Sequence, residues 1–302
     1  MVTSVVNLVV VLAFAPFLLG VINKTKAFVA GRNGPPILQG YYDLGKLLRK
    51  GFVVSRTTTW VFLAGPVLSV VAPVVAMLML PLGGRPALLS FTGDMILFVY
   101  VFALARFFVA TAAMDTGSAF EGMGAAREVT FSALAEPALL FGLLALTRLS
   151  GSLSLTRMLD LRAAGGWQKA SASIVLILAS WFIVLLAENA RVPFDDPNTH
   201  LELTMIHEVM VLDHAGPAFG FILYGAALKL TVFSTLLVTL LIPVRSGIDA
   251  LDLAIFVGGL LGVGVVVGLV ESSMARLRLV RVPQLLVTAT LLAGFAVVLL
   301  VR

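Results

Sequence analysis

The 24 residues FGFILYGAALKLTVFSTLLVTLLI (219–242) carry a single charge, Lys229. Wound as an α-helix at about 1.5 Å per residue, such a run crosses the roughly 30 Å hydrocarbon core of a bilayer. Seven more runs of this character lie at 4–22, 60–82, 94–112, 130–148, 171–187, 253–271 and 283–301. Soluble chains average near half apolar. These 302 residues are 60% hydrophobic and 12% charged, with a mean hydropathy of +1.06, more apolar surface than a soluble core could hide. The runs are continuous and rich in Leu, Val and Ala, whereas barrel strands are short and alternate. The fold class is therefore all-α: a polytopic membrane protein of about eight transmembrane helices with cytoplasmic loop helices, in one integral membrane domain over 1–302.

Composition excludes several functions. With no cysteine, the chain has no disulfide, thiolate metal site, iron–sulfur ligation or c-type haem attachment, so any redox centre belongs to a partner. The net charge of +5 is explained by loop lysines and arginines, and nucleic acid is not an expected partner. No basic residue precedes the first apolar run, so it reads as a retained span, not a cleaved signal peptide. With the N-terminus outside, the inner loops hold twelve basic residues (Lys24, Lys26, Arg32, Lys46, Arg49, Lys50, Arg56, Arg127, Arg191, Arg276, Arg278, Arg281). The outer side holds seven (Arg85, Arg148, Arg157, Arg162, Lys169, Arg245, Arg302). That bias predicts both termini outside a cell inner (plasma) membrane.

On this topology the loops 23–59 and 188–218 share the cytoplasmic face, with net charges of +6 and −5. Opposite charge leaves two readings: the loops pack together, or each is solvated on its own. The second contains AENARVPFDDPNTHLELTMIHE (187–208). Pro197 and Asn198 break structure, and Thr199 with Glu202 forms a capping box for a helix over 200–213 stopped by Gly216 and Pro217. His200, His207 and His214 share a stripe of that helix. A spacing of seven separates them by about 10.5 Å, too far for ligands that converge within about 2 Å of a metal, so no metal site is expected. Asp195 and Asp196 lack the second aspartate-rich motif that a magnesium–diphosphate site needs.

Charges inside apolar runs are costly, and they mark pairs or ion pathways. Arg106, Glu136 and Lys229 lie in spans, with Asp115, Glu121, Glu188 and Glu271 at their flanks. Lys229 has two readings: a salt bridge to Glu136 or Glu188, or a place in a charge relay. In the first loop, AGRNGPPILQGYYDLGKLLRKG is a Gly/Pro turn followed by an amphipathic segment, with Gln39, Asp43 and Lys46 near one side.

GRNGPPILQGYYDLGKLL (31–48) resembles the first-loop signature of complex I membrane subunit 1. AENARVPFDDP (187–197) is similar to its later signature, and the interval from Arg127 to Glu136 to a third. THLELTMIHEVMVLDHAGP (199–217) and ESSMARLRLVRVPQLL (271–286) resemble a narrower branch, the membrane subunit of formate hydrogenlyase, hydrogenase-4 and related group 4 nickel–iron hydrogenases. Where complex I subunits carry an acidic residue and an aromatic, this chain has Asn198 and Val209. The family's quinone chamber is built from these loops, so these departures leave quinone binding open.

The resemblance implies a non-catalytic subunit that anchors a soluble redox arm and links its electron transfer to proton or sodium movement. Hydrogenase large and small subunits, antiporter-like membrane subunits and lipid are the implied partners. The nickel–iron centre and iron–sulfur clusters would lie in those partners, and no cofactor in this chain. Glu136, Glu202, Glu208, Asp213 and Lys229 are the implied charge relay; Arg32, Gln39, Asp43, Lys46, Arg127, Glu188, Arg191 and Asp195 are the implied docking face. A quinone-reactive complex I subunit and a stand-alone ion or solute transporter are the alternatives. Against the transporter, the two halves show no internal repeat of broken helices.

Overall fold

The computed structural model describes residues 2–161, 166–195, 205–243 and 246–301. Arg162, Arg245, Arg302 and the stretch 196–204, with the expected cap at Thr199 and the expected relay residue Glu202, lie outside the described residues. The described residues form ten α-helices: α1 (Val2–Val29), α2 (Gln39–Leu48), α3 (Trp60–Leu78), α4 (Asp94–Asp115), α5 (Ala119–Ser150), α6 (Leu155–Leu159), α7 (Gly166–Glu188), α8 (Gly216–Leu241), α9 (Asp249–Ser273) and α10 (Val282–Val301). All but α2 and α6 are long and apolar enough to cross a membrane, and each takes in all or most of one of the eight apolar runs. The chain is an all-α, multi-pass membrane protein.

Two boundaries differ from expectation. The run at 130–148 is only the second half of α5, because AFEGMGAAREVTF before it is rich in good helix formers and continues the helix without a break. Between residues 205 and 213 a single 3₁₀ turn, Glu208–Val211, replaces the expected α-helix. Gly216 and Pro217 do not stop a helix but start one. Gly216 takes a left-handed φ of +53°, and Pro217 occupies the first turn of α8, where a missing N–H costs nothing.

The centre of the bundle is α8: 72% of its spanning window is buried, against 22% to 50% for the others. It packs against α1, α2, α3, α7 and α9, while α10 lies against α5 and α7. Apolar side chains gain little from leaving lipid, so helices associate here through close approach and satisfied polar groups. Gly225 of α8 shows the closeness: a Cβ there would fall 2.3 Å from the Ser69 carbonyl oxygen of α3. Buried Thr231 and Thr235 return their hydroxyls to the Ala227 and Thr231 carbonyls, both at 2.8 Å.

Pro16, inside α1, removes the N–H that would bond the carbonyl four residues earlier, Leu12. The Tyr224 hydroxyl of α8 donates to that carbonyl at 3.1 Å, and the Tyr41 hydroxyl of α2 to the neighbouring Ala13 carbonyl at 2.5 Å. The proline position thus ties three helices together, and α2 lies along α1 with no buried residue of its own.

Candidate charge-coupling site

Four helices each bring one ionised side chain to the same depth. Arg106 of α4 bonds Glu136 of α5 through one guanidinium nitrogen and, through the other, both oxygens of Glu188 at 2.9 and 3.0 Å. Lys229 of α8 reaches the far oxygen of Glu188 at 2.8 Å. The result is an unbroken line, Glu136–Arg106–Glu188–Lys229, with no formal net charge. Its middle is dry: the Glu188 side chain is 4% exposed and that of Arg106 11%. Arginine suits the bridging position because its planar fork serves two carboxylates at once. Arg106 Nε is buried without a hydrogen-bond partner, so the guanidinium holds this position despite an unmet donor. Pro137 follows Glu136 directly and interrupts the ladder of α5 beside the line.

A small cavity of about 80 Å³ opens onto the line, lined by Arg106, Glu188 and Lys229 together with Glu128, Asn189 and His207. A second cavity, of about 340 Å³, lies toward the connections after α1 and α7. Gln39, Asp43 and Leu44 of α2 face Arg191, Asp195, His207 and Glu208 across it. Removal from water lowers the pKa of His207, and Lys229 adds to the effect; Glu128 and Asp195 oppose it.

A separate set of charges fixes the loop after α7. Glu271 of α9, its side chain fully buried, takes Lys26 of α1 at 2.8 Å and Arg191 at 3.3 Å. Asp195 pairs with Arg276 at 2.9 Å and accepts the backbone N–H groups of Ile206 at 2.9 Å and His207 at 3.3 Å. Leu277 donates its N–H to the Pro193 carbonyl at 2.9 Å. The Arg127 guanidinium donates to the Met205 carbonyl at 2.9 Å, pinning the other end of the segment. The two loops meet at the larger cavity, but the first loop brings no basic residue to it, only the acid Asp43, and the buried acid Asp195 draws its arginine from the stretch after α9.

The residues expected from sequence divide clearly. Glu136 and Lys229 lie in the line, and Lys229 takes Glu188 as partner while Glu136 takes Arg106. Glu188, grouped by sequence with the docking face, is instead inside the bundle. Glu208 lines the larger cavity, and Asp213 is exposed, with its N–H donated to Glu121 at 3.0 Å. Arg32, Asp43 and Lys46 are exposed, whereas Arg191 and Asp195 are buried at 8% and 2% exposure. His214 stacks on Phe62, ring centroids 4.1 Å apart, and is not in register with His207 on a helix. No group of three or more His, Asp or Glu able to hold a metal occurs among the described residues.

Arg106 and Glu271 are the central residues absent from the site expected by sequence. Both are visible as charges in or beside apolar runs. Their partners, 30 and 82 residues away for Arg106 and 80 for Arg191–Glu271, leave no spacing signal.

The profile of the NADH dehydrogenase family matches residues 2–302. Formate hydrogenlyase subunit 4 of Escherichia coli K12 is 33% identical over 287 residues, 93% of this chain and 92% of the relative. Hydrogenase-4 component C of the same organism is 32% identical over 235 residues, 78% of this chain and 73% of that one. A subunit of the NADH-quinone oxidoreductase of Rubrobacter xylanophilus is 25% identical over 260 residues, 83% and 76% of the two chains. Among solved structures, a chain of the membrane-bound sulfane sulfur reductase, an archaeal respiratory membrane complex, superposes with a TM-score of 0.84. It covers 99% of this chain and 98% of its own at 22% identity, a likeness of fold.

Proposed function

The chain belongs to the NADH dehydrogenase family, and from that premise we propose that it is the membrane-anchoring and coupling subunit of a hydrogenase or complex I-like oxidoreductase. It links electron transfer in a soluble arm to proton or sodium movement. Its nearly full-length likeness to formate hydrogenlyase subunit 4 supports the hydrogenase branch. The nickel–iron centre and iron–sulfur clusters then reside in large and small subunits seated on the loop face, with antiporter-like subunits and lipid around the spans. The whole chain acts as one membrane domain, loops 23–59 and 188–218 form the docking face, and both termini lie outside.

The observation that carries this reading is the four-membered charge line beside a small cavity that shares part of its wall with the cavity at the loop face. Two carboxylates and two cations are held at balance around a dry centre formed by Arg106 and Glu188. A proton gained or lost by Glu136 or Glu188 upsets that balance, and neighbouring unit charges about 4 Å apart feel one another by about 4 kcal/mol at an effective dielectric of about 20. Events at the loop face can thus be passed inward as shifts in proton occupancy. Glu208 and Glu202 extend the relay toward the soluble arm. Arg32, Gln39, Asp43, Lys46 and Arg127 serve docking, with Arg191 and Asp195 fixing the loop beneath it.

Purification from native membranes tests the assembly: iron–sulfur and nickel proteins should accompany the tagged chain. In the assembled complex, Lys229→Met should leave electron transfer to an artificial acceptor at the wild-type rate and lower coupled ion movement at least about tenfold. Full coupling in that variant refutes the role assigned to the line. Ion or solute uptake by the isolated chain in liposomes would favour the transporter instead.

A further inference from the structure

The small and large cavities share four lining residues: Asn189, His207, Ile222 and Ala226. Ile222 and Ala226 have no exchangeable side-chain proton, and the Asn189 amide neither gains nor loses one near neutral pH. Of the four, only His207 titrates there. Glu208, next in sequence and expected in the relay, lines the larger cavity alone of the two. We propose that His207 is the residue through which protons cross between the loop-face cavity and the buried Glu136–Arg106–Glu188–Lys229 line, an inference that rests on the coupling role proposed above.

The step moves protons only. A group or water in the larger cavity gives a proton to one imidazole nitrogen, the other nitrogen releases one into the smaller cavity, and the ring returns to its neutral form. A cavity of about 80 Å³ exceeds the roughly 10–15 Å³ that a single water needs, and it has polar partners for water in Asn189, Glu128 and Glu188.

The charged groups that line the two cavities come from α2, α4, α5, α7, α8 and the loop after α7, and α3 contributes only Ser69 and Pro73. On the small side are Arg106 of α4, Glu128 of α5, Glu188 of α7 and Lys229 of α8; on the large side are Asp43 of α2 and Arg191, Asp195 and Glu208 of the loop. From α1 the large side receives Asn23, which is uncharged. Desolvation and Lys229 keep the ring neutral at rest, while Glu128 and Asp195 stabilise its brief cationic form. Asp195 also accepts the His207 backbone N–H at 3.3 Å, so the same carboxylate that locks the loop sets the position of the ring.

The test uses the assembled complex in proteoliposomes. His207→Gln should lower proton movement at least about tenfold, leave electron transfer to an artificial acceptor unchanged, and remove an inflection from the pH profile of coupling. His207→Glu, which restores a titratable group, should recover part of the rate with a displaced profile. Wild-type coupling in His207→Gln overturns the inference. If Lys229→Met uncouples and His207→Gln does not, this inference alone fails; if neither uncouples, the coupling role itself fails. Should neither His207 variant assemble, the wild-type complex decides. Its coupling must inflect below the ordinary histidine value of 6.5, and a profile flat through that region overturns the proposal.

Discussion

Replacing Glu188 by Gln removes the one anion of the buried line that touches two cations. Arg106 keeps Glu136, but Lys229 loses the carboxylate 2.8 Å from its ammonium. Breaking a buried pair by deleting one partner costs about 3–5 kcal/mol, because the remaining charge is left uncompensated. Lys229 is 21% exposed, so partial access to water places Glu188→Gln near the lower figure, about 3 kcal/mol. For a chain of this size that corresponds to a fall of about 6 °C in the melting temperature of the detergent-solubilised protein. Lys229→Met should cost less, about 1–2 kcal/mol, since Glu188 retains both bonds to Arg106. The double variant should then melt close to Lys229→Met alone, because removing the lysine abolishes the orphan that Glu188→Gln creates. A thermal melt of the four proteins measures this coupling directly. Additive losses in the double variant, or an unchanged melting temperature in Glu188→Gln, would refute the pairing scheme.

Gly225→Ala should destabilise the packing of α3 on α8 by about 1–3 kcal/mol, since the new Cβ would stand 2.3 Å from a backbone oxygen that has no flexible end to yield; a melt as stable as wild type would contradict the close approach. His214 gives a pH dependence whose sign follows from its lowered pKa. Burial holds the folded imidazole below 6.5, against the opposing hydrogen bond to the Phe62 carbonyl and the Asp213 charge. Protons therefore bind the unfolded chain first, and stability present above pH 6.5 is lost as pH falls toward the folded value. His214→Phe, which keeps a ring on Phe62, should flatten that decline in melts recorded from about pH 8 to about pH 5.

The fold is legible in the sequence where one kind of information suffices. Length and hydropathy place eight spans, because a helix in lipid satisfies its own backbone whatever its neighbours do. The segment after Glu188 is less legible. Pro197, Asn198 and Thr199 suggest a capped helix, but Ile206, His207 and Asp213 donate their backbone N–H groups to the side chains of Asp195 and Glu121, bonds that no local helical pattern encodes. The site is half visible for the same reason. Glu136, Glu188 and Lys229 announce themselves as charges at or near membrane depth. Arg106 does too, yet its role as the bridge depends on the rotation of α4 against α5 and α7, and hydropathy contains no angle. In the sequence His207 is one of three histidines spaced too widely for a metal; its place in the wall between two cavities arises only when α7, α8 and the loop meet.

The proline at position 16 has a consequence for biogenesis. Its bare Leu12 carbonyl takes its hydrogen from Tyr224, 212 residues further along the chain, so the ribosome delivers the first span long before the side chain that completes it. Until the sixth span has left the translocon, that carbonyl must be served by water or by lipid headgroups. The native shape of the amino-terminal helix is thus a late event, set when α8 takes its place at the centre. A chain truncated before Tyr224 should insert its early helices and still lack the bond that joins the first span to α8.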